Sequence, residues 1–219
     1  MEGYDMFYNE LDKGRGVIIY TQTNLHAEIE DTITGSYNEM IWCKLPIKQG
    51  MEIIVGCIYR SPSSSFDNSS NLNHVLREIT SRYPQVLIVG DFNYRDIDWE
   101  KETTNTQPGS PCYEFLECVK DCYLIQHVGD YTRYRQHETP SILDLVFTKY
   151  EEDINDILVM EPLGKSDHVS LKISLNLNIP KNSTTETIKY RYYRGNYEDM
   201  KQEITKKMNE LEESDTANT

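Results

Sequence analysis

Short apolar segments rich in β-branched residues recur along the first 175 residues, each bounded by turn formers and each of a length that suits a sheet strand. They fall at 16–20, 40–45, 53–59, 86–89, 143–147 and 169–175. The last alternates apolar and polar residues, as a strand with one solvated face does. Two intervening stretches carry a helical period instead. Leu72, Val75, Leu76 and Ile79 keep the i, i+3, i+4, i+7 spacing of a buried face, with Pro84 just beyond the helix end. Ser110 and Pro111 supply a cap and a first helical position ahead of Phe115, Leu116 and Val119. Strands joined by both short turns and helices predict a mixed sheet covered by helices, in an α/β or α+β layer architecture.

A chain of 219 residues is long enough for one sizeable core. With 38% apolar and 26% charged residues it reads as soluble and globular. No apolar run approaches the ~20 residues of a membrane helix, and Met1 to Glu10 lacks a signal-peptide pattern. The expectation is therefore an intracellular protein, nuclear or cytoplasmic, with no membrane partner and no clear basic import run. The composition changes from Pro180: a polar linker at 182–187, an aromatic and basic stretch at 190–194, and a charged helix candidate at 197–213. A boundary near Ile179 divides a domain at 1–179 from a tail at 180–219. The five cysteines are odd in number and fit no zinc spacing, even though Cys118 and Cys122 stand four apart. Free thiols in a reducing compartment are expected, and the sequons at Asn68 and Asn182 carry little weight. The net charge of −14 argues against tight binding of nucleic acid, which relies on phosphate neutralisation. A carboxylate cluster built to hold a metal does, however, need acids.

Candidate chemical groups lie where strands end. Val86 to Val89 runs into Gly90-Asp91-Phe92-Asn93, placing an acid and an amide two residues apart. If the strand continues, both project to one side; Gly, Asp and Asn are equally the usual formers of a turn. Ser166-Asp167-His168 precedes the last strand and sets a carboxylate beside a residue suited to proton transfer near neutrality. A plain surface turn is the alternative. Asp144 interrupts the apolar run Ile142 to Phe147. There it needs a partner, a metal or an edge position facing solvent, and orienting a catalytic histidine is one such use. Tyr59-Arg60-Ser61-Pro62 closes another strand. Its tyrosine could reach a phosphate oxygen and its arginine could supply positive charge, although packing also accounts for the tyrosine.

In this order, Tyr59-Arg60-x-Pro62, Gly90-Asp91-Phe92-Asn93, Leu143-Asp144-Leu145-Val146-Phe147 and Ser166-Asp167-His168 resemble the endonuclease domain of LINE-type non-LTR retrotransposons. That domain belongs to the endonuclease/exonuclease/phosphatase superfamily and is similar to abasic-site endonucleases. Gly14 to Tyr20, Asp98-Trp99, Gln126 and Thr132-Arg133 extend the likeness over roughly residues 4 to 178, and 190–204 is similar to the connector toward a reverse transcriptase. The resemblance implies a four-layer, DNase I-like α/β sandwich of two packed mixed sheets flanked by helices. It also implies Mg²⁺-dependent hydrolysis of DNA phosphodiesters, with Mn²⁺ as an alternative ion. Under it His168 is the general base, oriented by Asp144. Asp91 and Asn93 act on the nucleophile and the transition state, Asp167 serves the metal, Tyr59 contacts the scissile phosphate and Arg60 the substrate.

The family begins with two further strands carrying an Asn and a metal-binding Glu. Nothing in Met1 to Leu11 is expected to match them, since Asn9 and Glu10 are adjacent and sit just ahead of Gly16. The expectation is a sandwich incomplete at its N-terminus, holding Mg²⁺ weakly because that ion demands near-ideal octahedral geometry. Exposed sheet edges are expected as well, with an activity that is weak or absent. A non-catalytic remnant or binding module that keeps the fold is the competing reading, and a phosphatase or related phosphodiesterase of the superfamily ranks third.

Overall fold

The structure is a computed structural model that describes residues 2–11, 15–33, 35–177 and 201. The chain divides into two units, Met1–Lys181 and Asn182–Thr219. The linker and charged helix expected over 180–219 lie outside the described residues, Lys201 excepted. The strands and helices of the first unit run from Tyr4 to Leu175.

In chain order the strands are β1 (Tyr4–Leu11), β2 (Arg15–Gln22), β3 (Glu28–Ile29), β4 (Met40–Pro46) and β5 (Glu52–Tyr59). Helix α1 (Phe66–Arg82) leads to β6 (Val86–Asp91), β7 (Ile97–Asp98) and β8 (Thr103–Thr104). Helix α2 (Pro111–Asp121) precedes β9 (Ile125–Gln126), β10 (Asp144–Thr148), β11 (Ile154–Met160) and β12 (Ser170–Leu175). Six of these strands form the principal sheet, in the order β3-β4-β5-β6-β10-β9. Only β5 and β6 are parallel, and α1 makes the crossover that such a pair requires. The remaining ladders are antiparallel, so the sheet is mixed.

Both helices start as their sequences dictate. The Ser65 hydroxyl accepts from the Asn68 N–H at 3.1 Å, and the Ser110 hydroxyl accepts from the Tyr113 N–H at 3.3 Å, with Pro111 at the first turn. Their apolar stripes cover one face of the principal sheet. Leu72, Val75, Leu76 and Ile79 from α1 and Phe115, Leu116 and Val119 from α2 share a core with Ile54, Ile58, Ile88, Leu145 and Phe147. The opposite face carries a second layer made of two hairpins. Phe7 and Ile19 from β1–β2, and Ile157, Leu171 and Ile173 from β11–β12, pack with Cys43, Ile53, Leu87 and Val146. This is a DNase I-like α/β sandwich. Among the described residues no helix covers the outer face of the second layer, where Tyr4, Met6, Tyr8, Ile18 and Tyr20 are exposed.

Besides the two-residue strands β3, β7, β8 and β9, two long strands, β1 and β11, have no counterpart in the sequence reading. Tyr4–Leu11 pairs with Arg15–Gln22 residue for residue, from Tyr4↔Gln22 to Leu11↔Arg15. Its Asp5, Asn9 and Glu10 hide the alternation, and pairing to β2 rather than composition makes it a strand. In β11, Asn155 and Asp156 break the period where the register shifts.

Candidate active site

The ladder registers place the site. Tyr59 at the end of β5 lies opposite Asp91 at the end of β6, and Asp91 lies opposite Asp144 at the start of β10. Residues directly opposite across a ladder point to the same face, so three chemically capable side chains form one row across adjacent strands. Strand β6 stops here for a backbone reason. Gly90 sits at φ 150° against Ile58, whose carbonyl oxygen would lie 1.8 Å from any Cβ. Phe92 is then buried, and Asn93 turns into the left-handed region at φ 52°. The strand therefore ends at Asp91, and Asp91-Phe92-Asn93 forms an Asx-type turn off the strand end that carries functional groups. The turn is held by the Asn93 amide donating to the Arg60 carbonyl at 2.8 Å and the Asn93 N–H donating to Asp91 Oδ1 at 3.2 Å.

His168 reaches the row from the loop before β12. Its Nδ1 lies 2.7 Å from Asp144 Oδ2, which leaves Nε2 as the nitrogen able to exchange a proton with a reactant. Both side chains are about one quarter exposed, so the contact is shielded without being sealed. The hydrogen bond to Asp144 raises the His168 pKa above its ordinary value, with burial opposing and the charges of Asp144, Asp91 and Asp167 adding to the rise. Asp91 is pushed up to about 6, first by burial and then by the charge of Asp144, against the opposing pull of His168 and the Asn93 donors. Ligand atoms of Asp91, Asp144 and His168 all lie within 4.8 Å of one another. A partly buried carboxylate with a raised pKa and no ion pair among the described residues fits a hard divalent cation, which takes oxygen ligands.

Two expected site residues are placed differently. Arg60, expected at the substrate, is turned inward: it is 5% exposed, its Nε and Nη2 donate to Ser69 Oγ at 3.2 and 3.1 Å, and Nη1 reaches the Phe92 and Asn93 carbonyls. The guanidinium also lies 4.1 Å from the centre of the Tyr94 ring. A buried cation must be paired in this way, and here it braces the turn that presents Asp91 and Asn93. Asp167 is absent from the carboxylate–histidine cluster. Its Oδ2 accepts from Arg133 Nε at 3.0 Å. Burial tends to raise the Asp167 pKa, but the Arg133 bond and charge outweigh it and hold the carboxyl below its ordinary range. Asp167, expected to serve the metal, is thus held in an ion pair with Arg133 outside that cluster.

The segment 132–134, of which sequence reasoning noted Thr132-Arg133 without giving it a role, ties the site together. The buried Thr132 hydroxyl accepts from the backbone N–H groups of Leu143 and Asp144, both at 3.0 Å, and its carbonyl accepts from Val169 N–H at 2.9 Å. Arg133 forms backbone bridges to Ser141 and His168, and Tyr134 N–H donates to the Asp167 carbonyl. Arg133 also pairs with Glu138 at 2.9 Å, and Glu138 binds Arg95 at 3.1 Å. Asp144 and His168 are 24 residues apart, and this segment fixes their separation. The available signal was a polar Thr-Arg pair shortly ahead of an acid-bearing strand. A cavity of about 530 Å³ lies alongside, lined in part by Arg95, Trp99, Gln126, Tyr131 and Ile142.

Comparison with known proteins agrees with this architecture. Residues 53–172 match the sequence profile of the endonuclease–reverse transcriptase family. No curated protein sequence matches at a significant level. Among solved structures, the endonuclease domain of TRAS1, a telomere-specific non-LTR retrotransposon, superposes with a TM-score of 0.60 at 16% identity, over 81% of this chain and 82% of that one. The catalytic domain of Xenopus laevis APE2 gives 0.59 at 12% identity, over 81% and 77%. The 3'-5' exonuclease of Neisseria meningitidis gives 0.57 at 15% identity, over 79% and 80%. At these identities the likeness is one of fold.

Proposed function

Because the chain belongs to the endonuclease–reverse transcriptase family, we propose that it is a DNA endonuclease of retrotransposon origin that hydrolyses phosphodiester bonds with a divalent metal ion. The observation that carries this reading is the 2.7 Å contact between His168 Nδ1 and Asp144 Oδ2, with Asp91 in the same cluster. Nε2 of a neutral His168 takes a proton from the attacking water. Asp144 fixes the ring and offsets the imidazolium charge that forms, as an orienting carboxylate does in a triad. Asn93, braced by the Arg60 carbonyl, and Tyr59, in line with Asp91, supply donors for the phosphate oxygens. A bound Mg²⁺, or Mn²⁺ in its place, would be held by Asp91 and would offset charge on the phosphate and leaving oxygen.

Nicking of supercoiled plasmid tests the reading. The parent chain is expected to nick with Mg²⁺ and to stop in EDTA, and His168→Ala and Asp91→Ala are each expected to lose activity by roughly 10²-fold or more. The acid limb of the pH–rate profile should lie above about 6.5, where His168 loses its proton, and should move down in Asp144→Asn. Equal activity in the parent and both alanine variants would sink the assignment. A second reading, a non-catalytic module that keeps the fold, is favoured by the Asp167–Arg133 pair and the net charge of −14. It predicts a folded parent that binds DNA without nicking it and without dependence on metal.

A further inference from the structure

Three arginines converge on one carboxylate beside the candidate catalytic residues. Oε2 of Glu138 lies 2.9 Å from Arg133 Nη1 and 3.1 Å from Arg95 Nη1. Its Oε1 lies 3.5 Å from Arg135 Nη1. Arg95 follows Asn93 by two residues, and a backbone bridge joins Arg133 to His168. The cluster is therefore anchored to both the turn that presents Asn93 and the loop that presents His168. Arg95 also lines the cavity of about 530 Å³ and a second, of about 410 Å³, that Asn93 shares. Space for a ligand thus runs from Asn93 past Arg95.

Guanidinium groups that share one oxygen repel each other unless an anion lies between them. Glu138 supplies that anion. The hydrogen bond from Arg133, and after it the one from Arg95, outweigh burial and hold its carboxyl below the ordinary range. The same N–H forks match phosphate oxygens as well as carboxylate oxygens. Water reaches most of the cluster: the side chains of Arg95, Arg135 and Glu138 are 48, 60 and 34% exposed. Exposed ion pairs of this kind are worth little, because solvent competes for both partners. A phosphate brought in by the rest of a DNA strand can therefore displace Glu138. Arg133 Nε is already taken by Asp167 at 3.0 Å, so the exchange is confined to its Nη1 side. With Glu138 displaced, Asp167 is the one acid still paired with these arginines among the described residues. The result is a local excess of positive charge, which phosphate binding needs, in a chain of net charge −14.

We propose that Arg95, Arg133 and Arg135 form a binding site for a DNA backbone phosphate next to the scissile one, with Glu138 occupying it until the strand arrives. The inference rests on the nuclease reading for the identity of the strand. Binding exchanges the Glu138 carboxylate for a phosphate oxygen at Arg95 Nη1 and Arg133 Nη1, and Arg135 adds its charge from the rim. Glu138 thus opposes DNA, both by filling the site and by repelling the phosphate that replaces it. A carboxylate that only clasped its loop would act the other way. Its neutralisation would loosen the arginines and leave DNA affinity unchanged or lower.

The test is fluorescence anisotropy of a short labelled DNA duplex titrated with the full chain in EDTA, over a range of salt. Glu138→Gln should bind roughly three- to tenfold tighter than the parent. Arg95→Gln and Arg135→Gln should each bind more weakly, with the slope of log affinity against log salt reduced by ~1. In the combined Arg95→Gln and Arg135→Gln background, the gain from Glu138→Gln should shrink by at least half. Glu117→Gln makes the same change in net charge at the Glu117–Lys120 pair of α2 and should match the parent. Equal tightening in Glu117→Gln, a Glu138→Gln gain that persists in full without the two arginines, or Glu138→Gln binding no tighter than the parent overturns the proposal. So does an absence of DNA binding by the parent and Glu138→Gln alike. The expected affinities in a chain that fails to nick with Mg²⁺ would keep the phosphate site and remove the nuclease reading. Arg135 is exposed and remote from the core, so Arg135→Gln reads the site even if another variant fails to fold.

Discussion

Asp91 is a carboxylate that the fold strains in the absence of a cation. Its pKa rises from 3.8 to about 6, chiefly through burial and then through Asp144. Between those values the folded chain keeps a proton that the unfolded chain has released. The stability tied to this group is therefore complete below about 3.8 and is lost as pH rises through about 6. Asp91→Asn is expected to stabilise the protein in EDTA near neutral pH by ~1–3 kcal/mol, a gain that calorimetry should find shrinking toward zero below about pH 4. A variant less stable than the parent at neutral pH would show that the Asn93 donors outweigh the strain. Thr132 acts in the other direction. Thr132→Val strips the partner from two backbone N–H groups at the Leu143–Asp144 corner. It is expected to cost ~1–3 kcal/mol in urea unfolding and to slow nicking, since the same residue spaces Asp144 from Val169.

The strand ends decide where chemistry can sit. Gly90 is the residue that lets β6 finish against β5, at a φ of 150° and with the Ile58 carbonyl oxygen in the space a side chain would need. Gly90→Ala should lose ~3 kcal/mol or more, or yield no soluble protein. By comparison, Gly109→Ala has a strained φ but meets nothing within 4 Å, and should lose ~1 kcal/mol. Thermal melts of the two variants separate the clash from the backbone term. Comparable losses at both sites would mean that β5 yields to the added methyl. The regular elements were legible because their signals are local: the caps at Ser65 and Ser110, the stripe Leu72 to Ile79, and the β-branched runs of β4, β5 and β6. The strands β1 and β11 were not, because polar residues interrupt their alternation and their identity comes from partners.

At the scale of the whole first unit, the second layer has an inner face in the core and an outer face open to solvent. On β1–β2 the register sets Met6 beside Tyr20 and Tyr8 beside Ile18, all four 43–57% exposed. Contiguous apolar surface of this kind drives association. Ile18→Lys is expected to reduce concentration-dependent light scattering while leaving the melting temperature within a degree or two, since the residue points away from the core. A melting temperature that falls by several degrees would place Ile18 in the packing instead.

The sequence determined by itself the strand and helix periods, the helix caps, the mixed layer architecture and the ordered set of motifs, because each of these is written over a few neighbouring residues. Tertiary structure alone decided which groups meet. Asp144 and His168 come to 2.7 Å through the Thr132 segment and the β6–β10 register. Arg60 turns inward because a loop carbonyl, a serine and a tyrosine ring surround it. Asp167 is claimed by Arg133, a residue 34 positions away. Burial and charge act through space, and a side chain's partner is fixed only once the sheet order has brought distant segments together.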